Sequence, residues 1–129
     1  MNKIPCTISE IVSDEYITLV FMHFKEHCFV SMLLKNDGLK IGMKVNAVFK
    51  ESEVMICDYS YSKISARNRF VSRVFSVEKT DTIARVVFEF ERVKISSLVT
   101  IQACEDLEIS EGKLFGWFVK SSEVMLEYV

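Results

Sequence analysis

Lys50-Glu51-Ser52-Glu53-Val54-Met55 returns seventy positions later as Lys120-Ser121-Ser122-Glu123-Val124-Met125, with five of the six residues unchanged. An echo at fixed offset is the signature of a chain built from two copies of one unit. Working outward, Gly42 falls on Gly112 at the same offset, and Val20-Phe21-Met22-His23-Phe24 falls on Val86-Val87-Phe88-Glu89-Phe90 at an offset of 66. Nearer the amino end, Ile8-Ser9-Glu10-Ile11 falls on Val71-Ser72-Arg73-Val74 at 63. An offset that grows along the chain places longer loops in the second copy, where length changes are tolerated. The units are expected at residues 1–60 and 61–129. Domains of about sixty residues are marginal on their own, so further burial by pairing or oligomerisation is expected.

The composition is that of a compact globular chain. Half of the 129 residues are hydrophobic and 26% are charged, which excludes disorder. The formal net charge of −2 argues against a broad nucleic-acid or anionic-membrane surface, which needs an excess of Lys and Arg. The first ten residues hold no long apolar stretch, so no signal peptide is expected, and no run reaches the length of a membrane span. Cys6, Cys28, Cys57 and Cys104 show no CxxC spacing. Free thiols in a reducing cytoplasm are the expectation.

Patterning is mainly β. From Val20 to Val30 the even positions (Val20, Met22, Phe24, Glu26, Cys28, Val30) form the more apolar face of a strand. In the second copy Ala84, Val86, Phe88 and Phe90 face one way, and Arg85, Glu89 and Glu91 the other. Residues 70–77, 95–101 and 113–120 also read as strands. Gln102 to Leu107 reads as a short helix, with Glu105 and Asp106 in it. Strands with one short helix per sixty residues predict two tandem small OB-like β-barrels, each with a short helix.

The second copy carries a specific resemblance. Lys63-Ile64-Ser65-Ala66-Arg67-Asn68 precedes Val74-Phe75-Ser76-Val77-Glu78, followed in order by Val99-Thr100, Cys104-Glu105-Asp106-Leu107, Glu111-Gly112-Lys113 and Phe118-Val119-Lys120-Ser121-Ser122-Glu123-Val124-Met125-Leu126. This series resembles the molybdate-binding Mop (TOBE) domain across about 65 residues. A chain of two such units resembles the di-Mop molbindins, cytoplasmic binders of molybdate or tungstate. The departures are Ala103, where the family usually has serine, and Trp117, where it usually has a small residue. In the first copy Asn2-Lys3-Ile4-Pro5 stands in the place of Ser65 to Asn68, and Leu34 in that of Thr100.

The resemblance implies an oxyanion site made by Ser65, Ala66, Arg67, Asn68, Thr100, Lys120, Ser121 and Ser122, placed between subunits. Lys50 and Ser52 would contribute to a mixed site from a degenerate first copy. The chemistry suits a tetrahedral dianion: Arg67 is a rigid fork of N–H donors, Lys120 a compact ammonium, and the serines and Thr100 supply hydroxyls. Charge-assisted hydrogen bonds to an oxyanion are strong. The implied ligand is molybdate or tungstate, with no protein-ligated metal cation, and the implied assembly is a homo-oligomer, a trimer by resemblance.

Other chemistry is weak. His23 and His27 would lie roughly 13 Å apart on a continuous strand, although a hairpin would bring them nearer. Phe70, Phe75 and Trp117 could form a base-stacking platform, but the acidic balance opposes nucleic acid. A cytoplasmic oxyanion binder for storage or buffering is the expected function. A regulatory module acting through a transporter or regulator partner is the alternative, and an enzyme has no supporting constellation. Trp117 precedes Lys120 by three residues, so on a strand it should face away from Lys120 while lying close to the anion.

Overall fold

Alternating burial becomes ten strands in a computed structural model that describes residues 1–35 and 38–129. The strands are β1 (Asn2–Ser13), β2 (Thr18–Phe24), β3 (His27–Leu33), β4 (Lys44–Phe49), β5 (Met55–Asp58), β6 (Asn68–Lys79), β7 (Ile83–Phe90), β8 (Val93–Thr100), β9 (Leu114–Val119) and β10 (Met125–Tyr128). The helix α1 (Ile101–Asp106) follows β8, and 3₁₀ turns cover Glu51–Glu53 and Ser121–Glu123. The echoed hexapeptides are thus the two 3₁₀ turns and their flanks.

The strands form two five-stranded antiparallel sheets, ordered β10-β4-β1-β2-β3 and β5-β9-β6-β7-β8. Each sheet takes its last strand from the other half of the sequence. Strand β5 pairs with β9, Met55 opposite Phe118, and β10 pairs with β4, Met125 opposite Val48.

Each sheet curls until its edges approach. The Ser31 hydroxyl in edge strand β3 donates to the Val124 carbonyl at 2.5 Å, just before edge strand β10. Its counterpart, Ser97 in β8, donates to Val54 at 2.6 Å, just before β5. The barrels close through side chains where the ladder is interrupted.

The pairing register corrects one sequence alignment. Ile8 lies opposite Met22 and Val74 opposite Phe88, each next to a bulge, so the amino-terminal offset is 66, not 63. The similarity of Ile8-Ser9-Glu10-Ile11 to Val71-Ser72-Arg73-Val74 is coincidental. The counterpart of Asn68 is therefore Asn2, and Arg67 falls on Met1. Asn2-Lys3-Ile4-Pro5 does not replace Ser65 to Asn68.

A second correction concerns residues 20–30. They are two strands joined by a turn at Lys25-Glu26, where Lys25 adopts a φ of 54°. Phe24 pairs with His27 across the turn, so the inward parity reverses. Phe29 is buried, and Cys28, assigned to the inward face by simple alternation, is exposed. A two-residue turn shifts the alternation by one.

Both halves feed one core. Ile4, Ile8, Met22, Phe29 and Phe49 pack in the same cluster as Val74, Phe88, Phe90 and Trp117. Trp117 is fully buried, with ring centroids 4.9 Å from Phe70 and 5.3 Å from Phe90, and its N–H donates to Ser72 Oγ at 2.9 Å. A buried indole needs such a partner. Gly42 and Gly112 hold the equivalent turns before β4 and β9 at φ of 92° and 88°, and donate to Ile8 and Val74 carbonyls at 2.8 and 2.9 Å. Positive φ suits glycine there.

Candidate functional site

The Ser65-Ala66-Arg67-Asn68 segment leads into β6, and its last residue fixes its position. Asn68 is wholly buried and bridges to edge strand β3: its Oδ1 accepts from the Val30 amide at 2.7 Å and its Nδ2 donates to the Val30 carbonyl at 2.9 Å. The side chain mimics a strand neighbour and satisfies two backbone groups of an edge. Asn2 does the same to Ser96 in β8, at 2.8 and 2.9 Å. Asn68 therefore positions the segment and has its polar atoms engaged.

Arg67 folds back over its own loop. Its Nη2 donates to the Ile64 carbonyl and its Nε to the Ser65 carbonyl at 3.4 Å. A guanidinium carries five N–H donors, so donors remain for a ligand. Ala66 is buried beneath, while Ser65 is exposed. Lys120 and the turn Ser121–Glu123 arrive from the end of β9. The first amides of such a turn have no acceptor within it.

These segments converge. Ser65, Arg67, Lys120 and Ser121 line one hollow of about 560 Å³ with Leu19, Phe21, Cys28, Val30 and Met32 of the β2–β3 hairpin. The wall is thus one cationic, hydroxyl-bearing edge against an apolar sheet face. A neighbouring hollow of about 470 Å³ shares Ser65 and Lys120 but adds the carboxylates Glu53 and Glu123. Like charges oppose an anion there, so the first hollow suits an anion better.

Other expected residues lie elsewhere. Ser122 is exposed on the same turn as Ser121. Thr100 caps α1, its Oγ1 accepting from the Ala103 amide at 3.1 Å, and is not on the wall of the hollow. Lys50 precedes and Ser52 lies within the equivalent turn, which packs beside β8 rather than β3. Trp117 lies in the core rather than at the hollow, because alternation from exposed Lys120 turns it inward. Phe70 joins it there, while Phe75 is exposed with the Lys94 ammonium 4.2 Å from its ring centre, so the three rings form no common platform. His23 pairs with Cys28, and His27 packs on Phe90 with centroids 4.6 Å apart.

Sequence reasoning missed the apolar half of the wall and also Glu51, Arg85 and Ser96. The Glu51 carboxylate accepts from Ser96 Oγ at 2.6 Å and Arg85 Nε at 2.8 Å, and these two bonds hold its pKa below the ordinary carboxylate range. The available signal was the one mismatch in the hexapeptide echo, Glu51 against Ser121.

No family model matches the chain. Molybdenum-pterin-binding protein 3 of Clostridium pasteurianum is 36% identical over 64 residues, covering 49% of this chain and 94% of that protein. Molybdenum-pterin-binding protein 1 of the same organism is 34% identical over equal shares. A solved structure of the cytoplasmic molybdate-binding protein ModG, with molybdate bound, matches with a TM-score of 0.92 at 24% identity, over 99% of this chain and 96% of that one. That likeness establishes the fold across the whole chain. The chain belongs to the family of the molybdenum-pterin-binding (Mop) proteins.

Proposed function

We propose that the chain binds molybdate, and tungstate alike, in the hollow lined by Ser65, Arg67, Lys120 and Ser121, and stores or buffers the anion in the cytoplasm. The observation that carries this reading is their convergence: two segments more than fifty residues apart in sequence bring one guanidinium, one ammonium and two hydroxyls to a single wall. Ser122 and the turn amides add donors at its rim. Asn68 fixes the loop, and Thr100 retains a hydroxyl proton to donate from the start of α1.

The function is binding rather than catalysis, as with the relatives named for binding molybdenum-pterin and molybdate. The apolar half of the wall suits cover by a second copy of the chain, so the site is completed in a homo-oligomer, a trimer by family resemblance. Sulfate, being smaller, would stretch the hydrogen bonds of a rigid donor set and bind more weakly. Calorimetric titration with molybdate, tungstate and sulfate, with sedimentation in parallel, tests this. Absence of molybdate binding, or sulfate binding as tight as molybdate, overturns it.

A further inference from the structure

The pseudo-symmetry relating the halves gives most of the wall residues a counterpart. Through the paired registers, Leu19 corresponds to Arg85, Val30 to Ser96, Lys120 to Lys50 and Ser121 to Glu51. The second location has therefore lost Arg67, whose counterpart is Met1, but gained another guanidinium on the opposite wall. It also holds a carboxylate where the first location has a short hydroxyl.

That carboxylate is coordinated as a bound anion would be. Glu51 receives one bond from Arg85 at 2.8 Å and one from the Ser96 hydroxyl at 2.6 Å, and its side chain is only 25% exposed. Asn2 orients Ser96 from behind, accepting from its amide at 2.8 Å and from its hydroxyl at 3.3 Å. The other acidic group near Arg85 is Glu78, at 3.9 Å and mostly exposed. Lys94, on the same strand as Ser96, pairs with Glu89. A surface ion pair is normally loose and solvent-screened, whereas this one is tied to a buried Asn-Ser clamp. The lowered pKa of Glu51 agrees with a carboxylate held ionised by donors.

We propose that Glu51 is a resident anion filling a second oxyanion site, so that each chain carries one open site and one occupied by its own carboxylate. Arg85 and Ser96 are the donors of the filled site. Cutting Glu51 back to the serine found at position 121 opens it to a tetrahedral oxyanion. This inference rests on the oxyanion reading of the first hollow, and the test separates the two.

The experiment is calorimetric titration with sodium molybdate of wild type, E51S, R67A and R67A/E51S. Thermal melts in molybdate against chloride of equal ionic strength accompany it. The expected result is one additional site per chain in E51S, at least about tenfold tighter than any wild-type binding there, because two charge-assisted bonds become available. That site persists in R67A/E51S and is lost when R85A is added. If E51S folds poorly, E51A, which also removes the filling side chain, should show a larger molybdate-induced rise in Tm than wild type. If wild type binds no molybdate while E51S does, the first reading fails and this one stands. If wild type binds while E51S gains no site, or E51A gains no molybdate stabilisation, the inference is overturned.

Discussion

Arg67 and Lys120 are the two charges on the wall of the open hollow. Losing one charged hydrogen bond costs about 1.5–3 kcal/mol, roughly ten- to a hundredfold in affinity. Arg67→Ala and Lys120→Ala should each weaken molybdate binding by that factor, and Lys50→Ala much less, as calorimetry would read. Equal losses for Lys50 and Lys120 would contradict the asymmetry between the turns. Asn68 acts differently. Removing its amide strands the Val30 N–H and carbonyl on a buried edge, at about 1–3 kcal/mol for each group left without a partner. Asn68→Ala should therefore lower the denaturant midpoint substantially with an unchanged slope.

Single elements depend on small fixtures. The helix α1 has six residues, too short to persist alone, and Thr100 supplies its cap. Thr100→Ala should cost about 1 kcal/mol of stability, read as a fall in Tm. The exchanged strand β10 is held in part by Glu127, which accepts from Asn46 at 2.9 Å and pairs with Lys3 at 2.9 Å. The Asn46 bond and then the Lys3 bond lower the pKa of Glu127 from its ordinary value. Glu51, bonded to Ser96 and Arg85, is lowered likewise. A carboxylate with a depressed folded-state pKa stabilises the fold above its unfolded value and loses that contribution as pH falls through the folded one. Stability should thus be flat on this account above about pH 5 and decline below 4.5, with β10 amides losing exchange protection first. Glu127→Gln should blunt that decline.

At the scale of the molecule, the exchanged strands and the common core tie the halves into one body. Fragments 1–60 and 61–129 each lack a strand that closes their sheet, and each exposes half of the core. Neither fragment should fold as a monomer, whereas co-expression should restore a complex. The intact chain should unfold in one transition. A fragment with a cooperative transition of its own would refute this. Thiol reactivity should follow burial: Cys28, exposed at the hollow, should react early, and Cys6, buried with its pKa pushed up to about 12 by desolvation, should resist. Molybdate should slow the alkylation of Cys28.

The sequence by itself determined the duplication, the predominance of strands, the short helix after Thr100 and the order of the family's motifs. Each is a local matter: an echoed hexapeptide, a period of two, a short acidic helical stretch, a motif in order. Trp117 shows the limit of such reading, since alternation gave its side of the strand but not that the inside was a shared core. Only the tertiary structure decided that β5 and β10 change sheets, because pairing partners across the two halves are chosen by total burial and leave no local mark. It also decided the parity after Lys25-Glu26, where two turn residues reverse every face that follows. The place of Glu51 was decided there too: one changed letter in the echo became a carboxylate in the grip of Arg85 and Ser96, residues 34 and 45 positions away that only the packing of the turn against β8 brings into reach.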